Sequence, residues 1–187
     1  FLLPKKGEMF MRNKTRMLVE AGLLIAVAQI LSYIVVWHMP QGGSVTAGSM
    51  IPIILFAIRW GVGPGILAGA VYGILQFILG PKYSFHIISL LFDYPIAFAG
   101  LGLAGLNRKN YFTISVGIFL GILVRYLSHV ISGAVVFYEY AGTQNPWVYS
   151  LVYNSSYLIP ELVICVVVIG LIYGLLKPYL LNQVEMQ

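Results

Sequence analysis

Six apolar blocks, at about residues 17–36, 48–61, 63–80, 85–106, 111–138 and 148–176, fill most of this chain of 187 residues, and about 20 apolar residues suffice for a helix to cross the hydrocarbon of a bilayer. In lipid every backbone N–H and C=O must find its partner within the protein, so blocks of this kind become helices. Only 9% of the residues are charged while 59% are hydrophobic, far from the balance of a soluble domain. The expected fold is an all-α integral membrane protein: a bundle of six transmembrane helices. Blocks two and three are divided only by Arg59, Trp60 and the cluster Gly61, Gly63, Pro64 and Gly65, which reads as a tight turn or a broken helix.

The basic residues set an orientation. Lys5, Lys6, Arg12, Lys14, Arg16, Arg59, Arg108, Lys109 and Lys177 make up nine of the eleven Lys and Arg, and six crossings place all of them on one side, against Lys82 on the other. The positive-inside rule then predicts that both termini are cytoplasmic. The formal charge of +5 thus reports topology rather than a nucleic-acid partner. Arg125, the eleventh, lies inside the fifth block.

Several classes of function find no support. Cys165 is the single cysteine, so the chain has neither an internal disulfide nor a thiol cluster for a metal. No phosphate-binding glycine loop and no soluble segment large enough for an ATPase is present, so energy for uphill movement has to come from another subunit. No cleavable signal peptide is evident. Residues 1–10, FLLPKKGEMF, read as an extension ahead of a natural start at Met9 or Met11, and 11–187 as a single six-helix membrane domain. No cofactor is implied.

The chemistry concentrates at the outer ends of the helices. Asp93 stands in an otherwise apolar run, and a charge at membrane depth costs from about 2.5 kcal/mol to well over 10, so it is expected to face a cavity, a partner or a substrate. Tyr83, His86 and Asp93 recur at helical spacing near one face. Tyr94 and Pro95 follow, and the proline should kink the helix beside the carboxylate. In block five, Arg125, His129, Gly133 and Phe137 repeat every four residues as one stripe. Arg125 acting only to neutralise Asp93 is the plainer reading of that pair. At the outer end of block six, Trp147, Tyr149, Tyr153 and Tyr157 fit an interfacial belt, whereas Asn154, sharing a face with Tyr157 and Glu161, does not. For Glu161 an interhelical hydrogen bond and a ligand role both stay open. The first outer loop, HMPQGGSVTAGS, carries Pro40, Gly42 and Gly43, which let its backbone turn sharply or approach a ligand closely. An acid, a base, an imidazole, an amide and many rings suit a flat, cationic, hydrogen-bonding aromatic ligand. In the first helix, Gly22 and Ala26 lie four apart, a small-xxx-small face on which another membrane helix could dock.

The segments GILQFILGPKYSFH and LLFDYPIAFAGLGLAGL, the MPQGGS loop and the pattern Arg125, His129, Gly133, then Tyr149 and Asn154 resemble the thiamine-specific S-components (ThiT type) of energy-coupling-factor transporters, over about residues 17–176. The resemblance implies a six-helix substrate-binding subunit with a thiamine site near the outer surface, capped by the first loop. Asp93, with Tyr94 beside it, would answer the positive charge of the vitamin. Tyr83, His129, Tyr149 and Asn154 would line the site, and Phe137 would stack on a ring. Gly22 and Ala26 would meet the transmembrane coupling subunit, with two cytoplasmic ATPase subunits supplying the energy. The family pattern has glutamate, lysine and tryptophan where this chain has Asp93, Arg125 and Phe137, and Trp37 or Trp147 is a candidate for the lost indole. Two alternatives remain: an S-component for another aromatic vitamin or precursor, such as pyridoxine or hydroxymethylpyrimidine, and a small intramembrane enzyme using Asp93, His129 and Arg125.

Overall fold

A computed structural model of the chain describes residues 6–181; residues 1–5 of the expected N-terminal extension lie outside the described residues. Helix α1 (Lys6–Ser32) leads into a two-stranded antiparallel hairpin, β1 (Val35–His38) and β2 (Ser44–Thr46). Then come α2 (Ile51–Trp60), α3 (Val62–Leu79), a composite fourth helix α4 (Ile87–Gly105), α5 (Tyr111–Val135) and α6 (Pro146–Leu181). The helical membrane bundle is as expected, whereas the hairpin adds strands to a loop that reads from sequence as irregular.

One crossing differs from the expectation. Five helices are long and apolar enough to cross a membrane, but α2 has only 10 residues, about 15 Å of rise and half the hydrocarbon thickness. The apolar block 48–61 does not form a full transmembrane helix because Gly48, at φ +87°, turns the chain just before α2 starts. Ahead of that turn the chain runs inward as strand, with Val45 and Thr46 buried, and Ser49 and Met50 just after it are buried too. From Pro52 to Trp60 every residue of α2 except Leu55 is buried, the signature of a helix enclosed on all sides.

At the basic end, Arg108 donates to the carbonyls of Arg59 (3.0 Å) and Ile58 (3.3 Å), closing the C-terminal turn of α2. Partial burial lowers the pKa of this guanidinium from its ordinary value. Asn110 starts α5 with a reciprocal cap: its side chain accepts from Thr113 N–H at 2.9 Å, and Thr113 Oγ1 accepts from Asn110 N–H at 3.3 Å. Sequence inspection missed a further polar cluster there. Glu20 accepts from Trp60 Nε1 (2.8 Å) and pairs with Arg59 (2.7 Å) and Arg16 (2.9 Å), tying α1 to α2.

The composite α4 positions the site. It is α-helical over Ile87–Leu91, π-helical over Phe92–Ile96, α-helical over Ala97–Ala99 and 3-10 over Gly100–Gly105. Pro95 has no N–H to donate, and the wide π turn absorbs the defect without ending the helix. The expected kink is therefore a change of winding, with Asp93 and Tyr94 inside it. Small residues let the surrounding backbones close in, as membrane helices require: Gly65 packs on Gly102, and Gly117 and Gly121 pack on Ala104 and Gly100.

Gly73 of α3 rests on the Tyr94 carbonyl; a methyl group there would lie 2.6 Å from the carbonyl carbon and 3.0 Å from Pro95 N. Gly73→Ala should therefore cost about 1–3 kcal/mol, read as a lower midpoint of thermal unfolding in detergent. An unchanged midpoint would show that α3 and the π turn separate freely.

Candidate functional site

The π turn presents Asp93 with three hydrogen-bonding partners. Ser89, one turn earlier, donates to Oδ2 at 2.6 Å, Ser132 of α5 donates to the same oxygen at 2.5 Å, and His129 Nδ1 lies 2.9 Å from Oδ1. Charge-assisted bonds of this kind are roughly twice as strong as neutral ones and offset the cost of taking the carboxylate from water.

The neighbouring bond settles the histidine tautomer. Arg125 Nε lies 3.2 Å from His129 Nε2, and a guanidinium has only donors. Nε2 therefore accepts, the ring proton sits on Nδ1, and His129 donates it to Asp93. Arg125 is not the direct ion-pair partner of Asp93 that the plainer sequence reading supposed. Its reach is taken up by the imidazole, by Met50 Sδ and by the face of Phe98, 4.3 Å from the ring centroid. A relay from Arg125 through His129 to Asp93 takes the place of a salt bridge.

Opposite this relay stands a ladder of tyrosines on α6. Tyr149 and Tyr153 are stacked with centroids 6.1 Å apart, Tyr153 meets Tyr157 edge-on at 5.9 Å, and Tyr157 meets His129 at 6.3 Å. The four-residue spacing puts these rings above one another on one face. Asn154 is buried beside them. It accepts from the Tyr157 hydroxyl at 2.6 Å and donates to Ser150 O at 2.9 Å. Phe77 braces Tyr94 edge-on at 5.1 Å, and Phe137 stacks on Tyr140 at 6.1 Å.

The hairpin lies over these groups. Its turn is closed by Met39 N–H donating to Gly43 O at 2.8 Å, and Gly42 takes φ +93°, a conformation that suits glycine. The Tyr153 hydroxyl accepts from Gln41 N–H (3.2 Å) and Gly43 N–H (3.0 Å). Gly43 sits against the Tyr157 ring, where a side chain would lie 2.7 Å from ring carbons. The two glycines thus let the loop seat directly on aromatic faces.

Beneath the hairpin is a cavity of about 370 Å³, within the usual range for small-molecule sites. Tyr83, Asp93, Tyr94, Arg125, His129, Gly133, Phe137, Tyr149 and Asn154 all line it. His86 does not: it caps α4, its Nδ1 accepting from Ile88 N–H at 3.2 Å. Trp37 and Trp147 are exposed and absent from the lining, so neither replaces an indole there. Sequence inspection missed Ser89 and Ser132. Their spacing, four residues before Asp93 and three after His129, is the signal that could have found them. Gly22 and Ala26 lie elsewhere, exposed on α1.

Over residues 18–180 the chain matches a family model described as Thiamine transporter protein (Thia_YuaJ). It is 39% identical over 172 residues to the thiamine transporter ThiT of Bacillus subtilis (strain 168), spanning 83% of this chain and 89% of that protein. To the thiamine transporter ThiT of Lacticaseibacillus paracasei it is 32% identical over 177 residues, spanning 83% and 85% respectively. Among solved structures, ThiT from Listeria monocytogenes superposes with a TM-score of 0.77 over 90% of this chain and 98% of that one. At 22% identity that likeness shows the fold.

The relay makes a prediction independent of any ligand. Ring ¹⁵N spectra of the purified protein at neutral pH should show one histidine as the neutral Nδ1–H tautomer, and Arg125→Leu should release it to the usual mixture. A dominant Nε2–H signal from His129 would contradict the bonding described here.

Proposed function

We infer that this chain, which belongs to the thiamine transporter protein family (Thia_YuaJ), captures thiamine in the cavity beneath the hairpin as the substrate-binding subunit of an energy-coupling-factor importer. It is a multi-pass protein of a prokaryotic plasma membrane and, like its relatives, a transport protein rather than an enzyme. The observation that carries the substrate reading is the single carboxylate set among aromatic faces. Thiamine is flat, aromatic and cationic; Asp93 supplies the opposing charge, and the rings of Phe137, Tyr149 and Tyr94 supply faces for stacking. Asn154, His129 and Tyr83 bring polar atoms to the same wall, with Gly133 leaving room beside them. Ser150 fills part of that room, its hydroxyl donating to the carbonyl of Val130 at 3.0 Å.

The six-helix topology with both termini in the cytoplasm follows from the basic residues gathered at the end opposite the hairpin. That orientation opens the cavity to the outside. For the energising step we infer a transmembrane coupling subunit and two cytoplasmic ATPase subunits, docked on α1. Leu18, Val19, Leu23 and Ile30 of that helix are exposed. A Cβ added at Gly22 would meet nothing within 4 Å, so the small face of Gly22 and Ala26 is not used for packing inside the chain.

Titration of the detergent-purified protein with thiamine, followed by tryptophan quenching and calorimetry, should give tight one-to-one binding, and Asp93→Asn should weaken it more than about tenfold, about 1.4 kcal/mol, while the protein stays folded. Unchanged affinity would remove Asp93 from the site. Ala26→Leu should leave thiamine binding intact and stop uptake by cells; if uptake and complex assembly both survive, α1 is not the docking helix.

A further inference from the structure

Glu161 lies inside the membrane-spanning part of α6 and is 2% exposed. Neither a partner helix nor the cavity claims it. Its Oε1 accepts from the backbone N–H of Thr46 at 2.6 Å and from the Thr46 hydroxyl at 2.7 Å, whereas its Oε2 has no hydrogen-bond partner. The first outer loop is therefore the sole hydrogen-bonding partner of this carboxylate among the described residues. Thr46 Oγ1 in turn accepts from Ser49 N–H at 3.2 Å and lies 2.8 Å from the Ser49 hydroxyl. Burying a carboxylate with one oxygen unpartnered is costly, and the bonds that offset the cost all go to this one loop segment.

The hairpin is attached to α6 at two levels of unequal strength. At the tip, Gln41 and Gly43 share the neutral Tyr153 hydroxyl, at 3.2 and 3.0 Å, and Pro40 is exposed. At the root, Thr46 meets a carboxylate at shorter distances, and Val45, Thr46, Ser49 and Met50 are all buried. Two bonds this short on one carboxylate oxygen make the root the tighter attachment. Val35 and His38 of β1 and the tip residues Gln41 to Ser44 line the cavity, whereas Thr46 and Glu161 do not.

We propose that Glu161 is a positioning residue for ligand capture: its carboxylate pins the root of the loop at Thr46, so that opening and closing over the cavity is confined to the tip, Met39 to Gly43. The inference rests on the capture reading for its purpose, but its geometry can be tested without a ligand.

Hydrogen exchange of the ligand-free protein, read by mass spectrometry, should show slow exchange at residues 45–50 and fast exchange at 39–43. Glu161→Ala should abolish the protection at 45–50, and Glu161→Gln, which keeps an acceptor oxygen, should restore it. In stopped-flow measurements with thiamine, Glu161→Ala should raise the dissociation rate by about tenfold or more with little change in the association rate, and Glu161→Gln should stay near wild type. A general loss of stability would move exchange throughout the bundle and would not be rescued by glutamine. Should Glu161→Ala not fold, Thr46→Val carries the test and should lower protection at 45–50 while leaving the rest of the bundle unchanged. Unaltered protection in the alanine or valine variant, or equal loss in the alanine and glutamine variants, overturns the proposal. Absence of thiamine binding by the wild-type protein would overturn the substrate reading and leave the exchange result to decide the role of Glu161.

Discussion

The Asp93 carboxylate and the donors around it are the arrangement on which the rest of the bundle depends. A lone charge at this depth would shift its protonation or draw water in. Ser89, Ser132 and His129 hold both of its oxygens, and Arg125 acts one residue removed, through the imidazole. A direct guanidinium–carboxylate pair would have cancelled the charge locally and closed the cavity to a cation. With hydroxyls and a neutral imidazole as partners, the carboxylate is solvated by the protein while it lines the cavity. Asp93 and His129 side chains stay 18% and 12% exposed, so both look onto the cavity rather than into the core.

That arrangement demands an unusual backbone. Ser89 and Asp93 must face α5, yet Tyr94 must turn toward α3 to meet Phe77. A regular α-helix turns 100° per residue and cannot easily offer both directions together with a proline at position 95. The π turn widens the helix there, and Gly73 of α3 lets the neighbouring backbone follow its contour. The sequence GLGLAG, which tightens into 3-10 winding immediately afterwards, returns the chain to close packing against α2 and α5. Site and packing are one solution to a single geometric problem.

Much of this was legible in the sequence, for identifiable reasons. The helices announce themselves because lipid demands long apolar runs, and Asp93, Arg125, His129 and Asn154 stand out because polar groups in such runs are rare. Four-residue spacing then placed Arg125, His129, Gly133 and Phe137 on a common stripe, and all four do line the cavity. What spacing cannot reveal is depth along the bundle. The block 48–61 has the composition of a spanning helix, but only Ile51–Trp60 of it is helical; the chain just ahead of it is extended as β2 and satisfies part of its backbone with a neighbour, Thr46 N–H donating to Glu161. His86 fell on the predicted face and yet caps a helix, since helical phase says nothing about where a helix begins. Ser89 and Ser132 escaped because a serine in a membrane helix commonly bonds its own preceding turn, as Ser128 does to Val124 O at 2.8 Å.

The three carboxylates within the membrane-spanning segments show how one functional group serves three ends through its partners alone. Glu20, near the basic end, is met by Arg59, Arg16 and the Trp60 indole, a charged cluster that fastens α1 to α2. Glu161, without a cation among its hydrogen-bond donors, takes up a peptide N–H and a hydroxyl of a loop. Asp93 is held by hydroxyls and a neutral imidazole beside open volume. Of the three, only Glu20 has a guanidinium directly on its carboxylate among the described residues, and it is the one nearest the end that carries the basic residues. Under the capture reading, a ligand that brings its own positive charge completes the last of these sites in the way that Arg59 completes the first.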